Sequence, residues 1–159
     1  MGDVSRVEIR KSAHISAQPD QVWELIRDWA GMLRWWLAAE DGGLQGPTLV
    51  RCDLVGNRDG VPRTRRMFLD NGIVAEEQLF YQDDQARRIY YRKNLDPHII
   101  GYVATTYVDA AESDTAIVHV NSWFDVRGTA DPAESRGRFE SVYDAMFRGY
   151  QQFFIRARN

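Results

Sequence analysis

A chain of 159 residues fits one domain spanning 1–159 and is long enough to bury a sizeable core. Charged residues at 27% and hydrophobic residues at 44% place it among globular proteins and exclude a disordered chain. The net charge of −3 argues against general nucleic-acid binding.

No apolar run approaches the roughly 20 residues that span a bilayer. The start, Met1-Gly2-Asp3-Val4-Ser5, lacks the basic and then apolar segments of a signal peptide, so a cytoplasmic protein is expected. Cys52 is the single cysteine, which leaves no internal disulfide and no cysteine zinc cluster. All basic residues but Lys11 and Lys93 are Arg, a bias that fits a GC-rich bacterial genome. Arg63, Arg65 and Arg66 form the densest cluster, and three arginines in one strand mark a solvated face more often than a phosphate site.

Ser5 to Ile15 alternates, with Val7, Ile9, Ala13 and Ile15 on one side and Arg6, Glu8, Arg10 and Ser12 on the other. That period predicts a strand with one buried face, interrupted there by Lys11. From Pro19 the spacing turns helical: Val22, Trp23, Ile26 and Trp29 make the stripe, and Gly31 is expected to end it. Met32 to Leu37 predicts one or two further helical turns. Residues 40–126 then read as strand and turn, with strands at about 49–55, 63–70, 73–82, 87–94, 101–109 and 115–126. Gly42-Gly43, Asn57 to Gly60, Asp70-Asn71-Gly72, Asp83-Asp84, Asp96-Pro97 and Glu112-Ser113-Asp114 supply the turns.

Ser135 to Arg158 is the longest helical pattern, with Phe139, Val142, Tyr143, Met146, Phe147, Tyr150, Phe153, Phe154 and Ala157 at three- and four-residue steps. A stripe this wide must be buried, because exposure forfeits about 1.5–3 kcal/mol per large side chain. The sheet is the only partner large enough. The expected architecture is α+β: a curved seven-stranded antiparallel sheet around a long C-terminal helix, with two short helices between strands 1 and 2.

This order of elements resembles the START-like, or helix-grip (SRPBCC), superfamily. The likeness rests on Ile15-Ser16-Ala17-Gln18-Pro19-Asp20-Gln21-Val22-Trp23 with Trp35 downstream, and on Gly60-Val61 through Arg65 to Leu69 and Gly72. Glu77-Gln78-Leu79, Tyr102-Val103-Ala104-Thr105 and the C-terminal helix complete it. It covers nearly the whole chain and is nearest to the bacterial polyketide cyclase/dehydrase-like branch. The resemblance implies a small hydrophobic or aromatic ligand, polyketide-like or lipid-like, held in a cavity between sheet and helix. It identifies the fold better than the activity.

Periodicity places Leu79, Tyr91, Tyr102, Ala104, Thr106, Val118, Val120 and Phe124 on the inward face, with Tyr143, Met146 and Tyr150 contributed by the helix. Tyr91, Tyr102, Tyr143 and Tyr150 are each more often core aromatics, yet several phenols around one apolar space suit oxygenated, flat ligands. Lys11 is a further inward polar candidate whose stem can carry its ammonium to water.

A three-residue hairpin loop with Gly72 left-handed puts Leu69 opposite Ile73, Met67 opposite Ala75 and Arg65 opposite Glu77. Met67, Leu69, Ile73, Ala75 and Leu79 then share one face, whereas a two-residue turn would mix the faces. The pair Arg65–Glu77 is thereby expected on the inward side. It is either a self-satisfied ion pair that fixes register or a polar anchor in which Arg65 binds a carbonyl, enolate or carboxylate. An intact pair makes Glu77 a poor general base and leaves it the role of orienting Arg65.

His14, His98 and His119 are scattered without HxxH or HExxH spacing, so no metal or other cofactor is expected. Cys52 reads as inert packing in a strand. Trp36, with Trp123 on the outward side of its strand, marks a candidate surface for a homodimer. Arg65, Glu77 and Tyr102 are the catalytic candidates for a cyclase or dehydratase. A non-catalytic carrier or sensor, and an interaction module such as a chaperone co-activator, stand beside that reading.

Overall fold

The computed structural model describes residues 3–40, 48–93 and 97–159; the predicted turns at Gly42-Gly43 and Asp96 lie outside them. Among the described residues the chain runs β1 (Val4–Ile15), α1 (Pro19–Arg27), α2 (Leu33–Glu40), β2 (Leu49–Gly56), β3 (Arg63–Leu69), β4 (Val74–Asp83) and β5 (Arg88–Lys93). It continues through β6 (Ile99–Ala110), β7 (Ala116–Arg127) and α3 (Pro132–Ala157). The strands form one sheet in the order β1-β7-β6-β5-β4-β3-β2 with every neighbour antiparallel. This is the α+β helix-grip arrangement: consecutive hairpins build the sheet, β1 joins it beside β7, and α3 packs against β1, β7 and α2.

The sheet curves because three of its ladders slip. Register shifts lie between Leu49 and Arg51, Leu79 and Tyr81, and Ile100 and Val103, and a bulge of this kind bends the strand that carries it. In β4 the shift leaves Tyr81 exposed on the outer face while Gln82, opposite the buried Ile89, faces inward.

Helix ends follow local chemistry. Asp131 caps α3 by accepting from the Ala133 amide at 2.9 Å, and Pro132 occupies the first turn, so the helix starts three residues before the apolar pattern does. α1 stops at Arg27, earlier than the apolar stripe implies, and Trp29 lies beyond it. The chain turns through Asp28 to Gly31, whose amide donates to the Asp28 carbonyl at 3.0 Å. A Cβ on Gly31 would sit 2.2 Å from Asp28 Oδ2, so glycine admits this close approach.

The core lies between the inner sheet face and the helices. All eight inward sheet residues read from the alternation are buried, as are Tyr143, Met146 and Tyr150. Four expectations need correction. Ile73, beside the Asn71-Gly72 turn at the hairpin tip, is 52% exposed. Val142 is 37% exposed, since the buried arc of α3 is narrower than its apolar arc and runs through Phe139, Tyr143, Met146, Phe147 and Tyr150. The arginine cluster of β3 is not a solvated face: Arg63 and Arg65 point inward and only Arg66 lies outside, paired with Glu76 at 2.7 Å. Trp36 packs on Trp35 and the core, whereas Trp123 meets Tyr90 on the outer sheet face, so the two do not make one surface. No described helix is long and apolar enough to cross a membrane.

Leu79 has no exposed surface at the centre of this core. Leu79→Ala is expected to lower unfolding free energy by about 2–5 kcal/mol, and Ile73→Ala by under about 0.5 kcal/mol. Urea denaturation monitored by tryptophan fluorescence measures both.

Candidate functional site

The hairpin between β3 and β4 sets the site. Gly72 takes φ of 86°, the Leu69 amide donates to the Ile73 carbonyl at 2.9 Å, and the ladder places Arg65 opposite Glu77 and Met67 opposite Ala75. Both charged residues are buried, at 5% and 8% exposure. Arg65 donates through Nε and Nη2 to Glu77 Oε1 at 3.1 and 2.9 Å, and through Nη1 to the Trp29 carbonyl at 3.3 Å. Its guanidinium carbon stands 3.6 Å from the centre of the Trp29 ring, and the Trp29 indole N–H donates to the Glu77 carbonyl at 3.2 Å. Trp29 thus clamps both partners, a role open to it because α1 has already ended. Burial disfavours the charge on Arg65, but Glu77, with Tyr91 and Cys52 adding to it, more than offsets burial, and the guanidinium stays ionised.

The ladders extend this pair into a row. Glu77 faces Lys93 on β5, and Lys93 faces Tyr102 on β6. Arg65, Glu77, Lys93 and Tyr102 therefore cross four neighbouring strands side by side on the inner face, among apolar residues. The three catalytic candidates fall in one line, and Lys93, half-buried, completes it. Sequence reading passed over Lys93 and over the stacking partner Trp29. Alternation carried two residues past the inward Tyr91 would have found the lysine.

Beside the row lies a set of phenols. Tyr102 and Tyr143 hydroxyls are 2.6 Å apart, and Tyr143 donates to Ser122 Oγ at 2.7 Å. Tyr102 stacks on Phe139 at 5.1 Å, with Phe124 behind it. Tyr91 lies 5.2 Å from Trp29, its hydroxyl 3.5 Å from Thr106 Oγ1. Tyr150 packs on Trp35 at 4.8 Å. Burial pushes the Tyr143 phenol up to about 12 and holds Tyr91, Tyr102 and Tyr150 above the usual phenol range, so all four are neutral near pH 7.

The remaining candidates divide. Leu79, Ala104, Thr106, Val120, Phe124 and Met146 are buried around these groups. Lys11 lies on the inner face opposite Val120, and its ammonium reaches Asp144 on α3 at 2.5 Å. Cys52 is partly buried opposite Met67, and burial pushes its thiol up, away from reactivity. His119 lies on the outer face, stacked on Tyr107 at 4.4 Å and bonded to Ser12 at 2.6 Å. Among the described residues no group of three or more His, Cys, Asp or Glu side chains is placed to hold a metal.

Chemically, the row offers a fixed cation against an apolar wall with neutral O–H donors beside it. Such a surface can bind a carbonyl oxygen and stabilise enolate charge developing on it.

The fold recurs in solved structures. XoxI from Bacillus cereus superposes with a TM-score of 0.77 at 21% identity, covering 96% of this chain and 99% of that one. A protein of Nitrosospira multiformis gives 0.71 at 20% identity, covering 96% and 100%. Ara h 8.0201 gives 0.74 at 11% identity, covering 95% and 99%. No curated protein matches the chain in sequence. The family model described as "Polyketide cyclase / dehydrase and lipid transport" matches residues 6–155. The chain belongs to the polyketide cyclase/dehydrase and lipid transport family.

Proposed function

We propose that this protein binds a small hydrophobic or aromatic molecule bearing carbonyl or hydroxyl oxygens, between α3 and the inner sheet face. The observation that carries the reading is the polar row Arg65–Glu77–Lys93–Tyr102 across a face whose surrounding residues are largely apolar. Membership in a family described by both polyketide cyclisation and lipid transport supports a ligand of this class. An apolar wall with few fixed polar groups is the usual composition of a small-molecule site.

For a reactive poly-carbonyl chain the same surface provides cyclase or dehydratase chemistry. The apolar walls hold the chain folded and exclude water. Arg65 takes the developing enolate oxygen, Glu77 holds Arg65 in place, and Tyr102, neutral and hydrogen-bonded to Tyr143, donates or relays a proton. A non-catalytic carrier is the second reading, favoured by the way Tyr102, Tyr143 and Ser122 already satisfy one another.

Titration with a hydroxylated anthraquinone, followed by quenching of tryptophan fluorescence, tests the site. Wild type is expected to bind saturably, Arg65→Gln about tenfold or more weakly, and Tyr102→Phe a few-fold more weakly; unchanged binding in both variants overturns the polar-row anchor. Cyclisation of a poly-β-ketone lost in Arg65→Gln, with ligand still bound at high concentration, separates enzyme from carrier.

Glu77→Gln leaves a buried guanidinium without its counter-charge and is expected to lower stability by about 3–5 kcal/mol. The double variant Arg65→Met/Glu77→Met is expected to recover most of that loss. Thermal melts of the three proteins check it.

The buried phenols make stability fall at alkaline pH. Tyr143 ionises at about 12 when folded, against about 10 when unfolded. Its contribution is complete below about pH 10 and is lost as pH rises through about 12, because the unfolded chain releases the proton first. Urea midpoints between pH 9 and 12 should decline, and Tyr143→Phe should flatten the decline.

A further inference from the structure

Beyond the end of the polar row, a solvent-open depression of about 310 Å³ lies where the end of α1 meets β2 and β3. Glu24, Arg27, Asp28 and Trp29 border it on one side, and Leu54, Arg58 and Arg63 on the other. Its acids are already engaged: Glu24 pairs with Arg27 at 3.3 Å, and Asp28 with Arg34 at 2.6 Å. Asp84, the next acid, accepts from the Trp23 indole at 3.1 Å and the Gln82 amide at 2.8 Å, and faces Arg27 at 3.6 Å.

Of the arginines lining the depression, two have no acid partner among the described residues. Arg58 is exposed in the loop between β2 and β3. Arg63 is only 8% exposed, and both of its acceptors are neutral: the Arg27 carbonyl, at 3.4 Å from Nη2, and Gln82 Oε1. Gln82 presents that oxygen because its own N–H is tied to Asp84. The Arg63 Nε–H is buried with no hydrogen-bond partner among the described residues. A guanidinium cannot shed its charge at any ordinary pH, and a buried charge without a counter-ion is costly. The uncompensated charge at this wall is positive, and Trp29 and Leu54 lay an apolar surface next to it.

We propose that the depression binds the carboxylate of a small organic acid, with Arg63 and Arg58 on the anion and Trp29 and Leu54 against its carbon body. The site adjoins the polar row without including it: Arg63 lies two residues along the inward face of β3 from Arg65, and Trp29 closes over Arg65 while lining the depression.

Nitrogen-15 NMR of the arginine Nε–H and tryptophan indole signals tests the proposal, with benzoate and inorganic phosphate as probes. Benzoate is expected to shift the Arg63 and Trp29 signals saturably, and to bind more tightly than phosphate. Arg63→Gln should weaken binding about tenfold or more. Arg58→Ala, an exposed loop change that spares the fold and lies outside the polar row, should weaken it several-fold. No saturable shift, phosphate equal to benzoate, or affinity unmoved in Arg58→Ala overturns the proposal.

Discussion

A guanidinium that cannot lose its proton is buried on the inner sheet face at Arg65, and much of the local structure serves to keep it there. Glu77 supplies the counter-charge through one oxygen, and Trp29 covers the flat face of the cation while binding the Glu77 backbone. Those contacts require the three-residue hairpin loop, because a shift by one residue would send Arg65 to the outer face. They also require α1 to stop at Arg27, so that Trp29 leaves the helical path and lies over β3. Gly31 permits the turn that does this. A buried pair of this kind is weak evidence for stability; on the proposed function it holds a fixed cation against the apolar residues of the inner face.

On the proposed function, the polar row would let one face serve either half of the family's description. A cation held by Glu77 would suit a carbonyl or enolate oxygen, and phenols kept neutral by burial would offer it hydrogen bonds. The surrounding aliphatic and aromatic side chains give no directional chemistry, so they suit a folded polyketide and a lipid equally. Lys11 stands apart from the row, because Asp144 claims its ammonium at the sheet edge.

Much of this was legible in the sequence because the governing signals are local. Strict alternation in the strands that become β1, β6 and β7 assigned faces to Val118, Val120 and Phe124, and the Asp70-Asn71-Gly72 loop set the register of Arg65 and Glu77. The misses have equally physical causes. Bulges break period 2 without a residue signature of their own, so the inward turn of Gln82 was invisible. Trp29 continues a helical stripe, and only a turn closed by backbone bonds takes it elsewhere. The inward burial of Arg63 depends on acceptors supplied by α1 and β4, which no single strand reveals. Val142 fits the apolar period of α3, yet the curved sheet and α2 cover a narrower arc than that period offers.

The most direct measurement is native mass spectrometry of the protein purified from its source under gentle conditions. A bound small molecule, apolar in its carbon skeleton and bearing carbonyl or hydroxyl oxygens, is the predicted result, and it should be absent from Arg65→Gln purified the same way. A bare chain mass in both preparations, joined with failure of every oxygenated hydrophobic probe to bind wild type, would contradict a ligand held between α3 and the sheet.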